Sequence, residues 1–415
     1  MQEPSLFPIP EPQPQSASQA MQPAHQPAPQ LTPSTAPQSA QPTTPAPVDE
    51  LVCRIAFSRI KGMTVSLAQQ LLEATGGSCT RLFTVPMQEL SVINGLENHG
   101  FTESVRRELL LHAGKEAEFV RRHHLKCLFF TDADYPRRLL DCEDAPVLLY
   151  TLGECNLNAK HSVGIVGTRS ATVYGVNFIN KLVDELRDRL DDVLIVSGLA
   201  MGCDIAGHRR AMADGIPTAA VLAHGLDTIY PMDNRNDAMR IAGGAGALVT
   251  DYPSGVWPFR GNFLARNRIV AGMVDALVVV ESAESHGGAL HTARIAYEYG
   301  REVFALPGRT SDTYSGGCNK LIRRHVATLC RGADDIIDVL GWTAKPQEGE
   351  QQKLFKVLSP TEQSIADCLQ RKGDVSADVI SRDTGLPIGQ LLGMLMELEA
   401  EGVLLALPGN RYRLA

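Results

Sequence analysis

No stretch of the chain approaches the ~18 uninterrupted apolar residues that a membrane-spanning helix needs. Nor does a basic segment followed by an apolar one open the sequence. No membrane partner and no secretory signal are therefore expected, and the expected compartment is the cytoplasm. Nine cysteines stand singly at 53, 79, 127, 142, 155, 203, 318, 330 and 368, with no C-x-x-C pair. That spacing excludes a zinc knuckle and a thioredoxin-like redox motif and fits a reducing compartment. An excess of positive charge is also missing, since 39 basic residues face 47 acidic ones for a net charge of −8. A protein that coats nucleic acid through its global field is thereby excluded, and any nucleic-acid site must be local.

Two nucleotide fingerprints are absent as well. No G-x-x-x-x-G-K-[ST] loop occurs, and the turn Gly164-Ile165-Val166-Gly167-Thr168-Arg169 is not G-x-G-x-x-G. Where an NAD site wants an acidic residue closing the second strand, Ser197 stands instead. Asp204 and His208 share a helix face but have no evident third partner, and His224, His286 and His291 read as hydrogen-bonded structural residues. No catalytic constellation, metal site or cofactor is expected.

What is present describes a globular protein. With 415 residues, 44 % hydrophobic and 21 % charged, the chain can bury a sizeable core in two to four domains. Residues 1–49, rich in Pro, Gln, Ala, Ser and Thr, bury too little apolar surface to offset their ordering entropy and read as a disordered tail. Residues 50–125 carry Leu51, Ile55, Ile60, Leu67, Leu71 and Leu72 at helical spacing, a small helical domain. Its Ile60-Lys61-Gly62-Met63 turn reads either as a plain helix connection or as a helix-hairpin-helix that offers amides to a phosphate.

Residues 126–342 alternate apolar runs with helical stretches. The runs at 163–166, 193–196, 218–222, 247–250, 276–280 and 302–306 are continuous rather than alternating, which indicates a mostly parallel sheet covered on both faces. A linker at 343–354 precedes a module at 355–415, where three helical patterns and a Pro408-Gly409-Asn410 hairpin describe a winged helix.

In an open α/β sheet, ligands bind beyond the carboxyl ends of the strands. The runs here end in Gly167-Thr168-Arg169, Ser197-Gly198, Ala223-His224-Gly225, Asp251-Tyr252-Pro253, Ser285-His286-Gly287-Gly288 and Pro307-Gly308. Loops so rich in Gly and Ser, leading into helix N-termini, point to a phosphate site. Arg169, Arg260, Arg266 and Arg268 with Phe263 among them suit a single strand, guanidinium groups holding phosphates and a ring stacking on a base. Arg266-Asn267-Arg268 reads equally as ligand contact or as a buried polar clasp between loops.

Taken together, these residues resemble the DNA-processing protein A (DprA, or Smf) family. Gly164 to Arg169 with Tyr174-Gly175, Ile195 to Ala200 with Gly202, Asp204 and His208, Gly225-Leu226-Asp227 with Tyr230-Pro231, and Arg266 to Gly272 stand in the family's order. So do Thr292-Ala293-Arg294, Ala305 to Gly308 and Gly317-Cys318-Asn319. The resemblance implies a Rossmann-like domain flanked by a helical (SAM or helix-hairpin-helix-like) domain and a winged helix. It further implies a non-enzymatic homodimer that binds single-stranded DNA and loads RecA during natural transformation. By position, Gly167, Thr168, Arg169, Ser197 and Gly198 would hold phosphate, Arg260 would take the basic pocket position, and Phe263 would lie against a base. Arg266, Asn267 and Gly287 complete the expected DNA site.

The family more often has Ser-Gly-Ser at the loop that here reads Ser285 to Gly288. A competing reading is a nucleoside-monophosphate phosphoribohydrolase similar to the LOG proteins, but the Glu of their P-G-G-x-G-T-x-x-E motif is missing, with no Glu before Glu298. In the winged helix, 387–400 has no Lys or Arg and carries Glu397 and Glu399, which phosphate would repel. A protein-binding or regulatory role is expected of it.

Overall fold

The computed structural model describes residues 49–90, 100–284, 287–345, 359–400 and 403–414. The expected tail up to residue 48, the linker from 346 and the Ser285-His286 pair lie outside them. The chain divides into two compact units, one ending at Lys345 and one beginning at Pro346.

The first unit opens with α1 (Glu50–Ser58), α2 (Val65–Ala74), α3 (Cys79–Thr84), α4 (Met87–Leu90) and α5 (Glu103–Arg122). Each long helix starts where a short polar side chain can take an orphan amide. Asp49 accepts from Leu51 N, Thr64 from Leu67 N and Thr102 from Val105 N. The Thr64 cap spends one of the amides that a phosphate at this turn would need.

An α/β region follows, with β1 (Lys126–Phe129), α6 (Arg137–Leu140), β2 (Leu148–Gly153), β3 (His161–Val166), α7 (Val173–Arg189), β4 (Val193–Ser197) and α8 (Cys203–Ala213). It continues with β5 (Thr218–Val221), α9 (Arg235–Gly243), β6 (Ala247–Thr250), α10 (Arg260–Gly272), β7 (Ala276–Val279) and α11 (Gly288–Glu298). β8 (Glu302–Ala305), α12 (Gly316–Arg323), β9 (Thr328–Leu329) and α13 (Ala333–Leu340) complete it. The sheet order is β1-β2-β6-β5-β4-β3-β7-β8-β9. β1, β2 and β6 pair antiparallel, and the strands from β6 to β9 run parallel.

The continuous apolar runs have a direct cause. Val163, Ile165, Val193, Ile195, Ala276 and Val278 pack in one core cluster, while Val166, Leu194, Val196, Leu277 and Val279 pack in another. Alternate residues thus enter opposite layers, and neither face can be polar. The helical segment joins the second of these cores, where Phe57 meets Phe129 edge to face at 5.8 Å. Successive strands are added on one side from β3 to β6 and on the other from β7 to β9, so the switch point of the sheet lies between the carboxyl ends of β3 and β7.

The second unit is the expected winged helix. Helices Pro360–Lys372, Ala377–Thr384 and Ile388–Ala400 precede strands Leu404–Leu407 and Arg411–Leu414. A third strand, Val375–Ser376, pairs with Tyr412 and Arg411 and was not read from the sequence. Ser359 and Glu362 form a capping box at the first of these helices. In the third, Glu397 and Glu399 are solvent-exposed.

Candidate nucleic-acid interface

At the switch point the strand ends enclose an open cavity of about 580 Å³, within the size range of small-ligand sites. Gly167, Thr168 and Arg169 enter it from β3, Gly198 from β4 and Gly287 from the start of α11. Arg260, Phe263, Asn267 and Val270 recur on α10 at helical spacing, so a single face of that helix forms one wall.

The expected site residues therefore converge, with one correction. Ser197 is fully buried, and its hydroxyl donates to Ile165 O at 2.5 Å, inside the sheet. The end of β4 offers its Gly198 backbone instead.

The Arg-Asn-Arg run resolves residue by residue. Arg266 is a clasp under the cavity floor: its Nη1 donates to Gly198 O at 2.7 Å and to Val221 O. A side chain at Gly198 would strike that guanidinium, which accounts for the glycine. Arg268 points elsewhere, pairing with Asp251 at 2.5 Å and donating to Asp144 O. Asn267, 9 % exposed, borders the cavity, and its side chain makes no hydrogen bond among the described residues. Arg169 and Arg260 are exposed and make no ion pair among the described residues. Arg169 lies over the Phe263 ring at 5.7 Å, and Phe263 meets Tyr230 at 5.5 Å.

Two carboxylates shape the loops from below. Asp204 accepts from Gly198 N at 3.2 Å and Ala200 N at 3.4 Å, which fixes the turn into α8. Glu281, just past β7, accepts from Thr172 N at 2.8 Å and Thr172 Oγ1 at 2.5 Å, bracing the turn into α7. A side chain at Gly175 would lie 2.6 Å from Glu281 Oε2, so the Tyr174-Gly175 pair is tied to this brace. These loops thus spend amides on internal carboxylates. At α11 no side chain caps the helix, and Gly287, Gly288 and Ala289 border the cavity. Its first amides, without a side-chain cap among the described residues, are of the kind that favours an anion. The sequence reading passed over Glu281 because it looked to the loop at 285–288.

Burial raises Asp204 to about 6, opposed by the Arg266 charge and the loop amides. Burial also depresses Arg266, opposed by Asp204. Asp204 is the only acid among the described residues lining the cavity. Glu298 sits at the far end of α11, 3.7 Å from Arg294, so the hydrolase carboxylate is absent from the cavity wall. Among the described residues no cluster of three metal-ligating side chains occurs, and no helix is long and apolar enough to cross a membrane.

His208 is fully buried beneath the site, with Nδ1 2.8 Å from Thr218 Oγ1. That hydroxyl donates to Ile195 O, so the ring N–H is assigned to Nδ1. Burial, then the Arg266 charge, lowers its pKa to about 3. The folded state thus resists a proton that the unfolded chain binds near pH 6.5, and stability is lost as pH falls through that window. Between pH 7 and 5 the wild type loses up to about 2 kcal/mol more than His208→Gln, read by urea unfolding at both pH values. A difference between the two proteins that does not change with pH would refute this.

Comparison with known proteins gives the family. Residues 126–341 match the model described as DNA recombination-mediator protein A, and residues 343–410 match the DprA winged helix domain. The chain is 40 % identical over 271 residues to the putative DNA processing protein DprA of Mycobacterium tuberculosis, covering 64 % of this chain and 68 % of that one. It is 36 % identical over 288 residues to protein Smf of Escherichia coli, covering 68 % and 75 %. The X-ray structure of DprA from Streptococcus pneumoniae superposes with a TM-score of 0.55 at 29 % identity, over 69 % of this chain and 95 % of that one. The chain belongs to the DNA recombination-mediator protein A family.

Proposed function

We propose that the protein is a non-catalytic binder of single-stranded DNA that protects incoming strands and loads RecA on them during natural transformation. The observation that carries this reading is the contrast among the arginines around one cavity. Arg266 and Arg268 are spent on carbonyls and Asp251, while Arg169 and Arg260 face solvent without a carboxylate. Local positive charge thus sits at one cleft of an acidic protein, beside an uncapped helix start and an aromatic ring. That combination suits a phosphodiester carrying an accessible base face, which a duplex hides. Gly167, Thr168, Arg169, Arg260 and the amides at Gly287 take phosphate in this reading, and Phe263 lies against a base. The family description supports the mediator role.

Assembly as a homodimer would set two cavities on one strand and raise the effective affinity for strands long enough to span both. Fluorescence anisotropy with a labelled strand of about 30 nucleotides and unlabelled duplex as competitor tests the reading, a length beyond single-site footprints. Saturable binding that duplex fails to displace is the expected result. Absence of binding at moderate salt, or ribose 5-phosphate released from AMP, would overturn it.

A further inference from the structure

Just before α10 the segment Trp257-Pro258-Phe259 exposes two large rings, Trp257 at 57 % and Phe259 at 69 %. Neither ring lines the cavity, yet the segment runs directly into Arg260, which does. The segment is not loose. Gly225 N donates to Val256 O at 3.0 Å, Asn262 Nδ2 to Trp257 O at 3.4 Å, and Asn262 N to Phe259 O at 2.9 Å. Phe259 is extended at φ −134° and ψ 147°, and Pro258 restricts the residue before it to extended geometry. Trp257 and Phe259 are two residues apart in this extended stretch, so their backbones lie within about 7 Å of each other. A side chain at Gly261 would come within 3.3 Å of the Phe259 ring, so one edge of that ring rests on the helix start while most of it meets water.

Exposing two rings on an anchored backbone forgoes the stabilisation of burying them. In the chain they lead directly into Arg260, which borders the cavity beside Phe263 and makes no ion pair among the described residues. We propose that Trp257 and Phe259 form a stacking platform for the bases that follow as a single strand leaves the cavity past Arg260. The occupant is argued from that charge and from continuity with the cavity. The platform rests on the single-strand reading above and extends its footprint by successive bases, without sequence preference, because every base presents a π face.

Intrinsic fluorescence provides the readout. The chain has two tryptophans, and Trp342 packs on His161 at the opposite end of β3, 4.6 Å between ring centroids. In a Trp342→Phe background, oligo-dT of 30 nucleotides should quench Trp257 on binding. Trp257→Ala with Phe259→Ala should weaken binding of that strand by at least about fivefold per ring. The salt slope should stay unchanged, and so should the affinity of a tetranucleotide that fills only the cavity. If the 30-mer still binds in an Arg169-dependent way but Trp257 is not quenched and the double variant binds equally, the platform alone is refuted. Sedimentation that shifts from dimer to monomer in the double variant, with DNA binding intact, would assign the rings to a second copy and also refute it. No binding of any strand would remove both the platform and the reading beneath it.

Discussion

Arg266→Met is expected to destabilise the first unit by about 2–6 kcal/mol, because it leaves two buried strand-end carbonyls without a donor at roughly 1–3 kcal/mol each. Arg266 is 5 % exposed and lies against Gly198, its Nη1 satisfying two strand-end carbonyls. Its charge is also what holds Asp204 down against burial. Without it, Asp204 must either ionise uncompensated or keep its proton.

The pH dependence separates these losses. An acid whose folded pKa is raised costs stability as pH rises from its ordinary value of 3.8 to the folded one, here already about 6 and higher in the variant. Arg266→Met is therefore expected to be weakest above pH 7 and to recover part of its loss at pH 5, where Asp204 is protonated. Adding Asp204→Asn should abolish that recovery, leaving the cost of the orphaned carbonyls and the lost packing. Urea unfolding of the four proteins at pH 5 and 8 gives the cycle. A single-variant loss below about 1 kcal/mol at pH 8 would mean that water replaces the guanidinium at both carbonyls and the clasp is not structural.

The same residue marks how far the sequence could be read. The parallel sheet was legible because its strands are buried on both sides, which turns each into a continuous apolar run. Strands of two residues, Thr328–Leu329 and Val375–Ser376, are too short to carry any period and were not foreseen. The convergence of loops was legible from the general position of ligands in such sheets. Individual roles were not. Arg266, Asn267 and Arg268 are adjacent in sequence, but a helix turns about 100° per residue, so they face the sheet, the cavity and Asp251 respectively. That rotation is set by packing against α11, α6 and β5, which no local pattern encodes. Ser197 looked like a phosphate ligand by composition, yet its hydroxyl is satisfied within the sheet. Glu281 went unread because a carboxylate that braces a phosphate loop contradicts the charge the loop is expected to bind.

Binding to a single strand should fall by about 10- to 100-fold for Arg169→Ala and similarly for Arg260→Ala, the value of one charge-assisted contact of about 1.5–3 kcal/mol. Each lost phosphate contact should also lower the slope of log affinity against log salt by about 0.7, and the double variant by about 1.4. Arg268→Ala is the matched control, because it removes the same unit of charge from the same region. Its guanidinium is committed to Asp251 and Asp144 O, so its loss should leave the salt slope of DNA binding unchanged. Arg260→Lys should restore most of the slope but only part of the affinity, since an ammonium keeps the charge and loses the planar fork. At Arg169 the lysine should do less well, because the stacked position over Phe263 favours a flat cation. Anisotropy titrations from about 50 to 200 mM salt resolve these differences. Equal slopes for Arg169→Ala, Arg260→Ala and Arg268→Ala would mean that the protein's field as a whole, rather than this cleft, attracts the strand. With a net charge of −8, an attractive global field is the less tenable account.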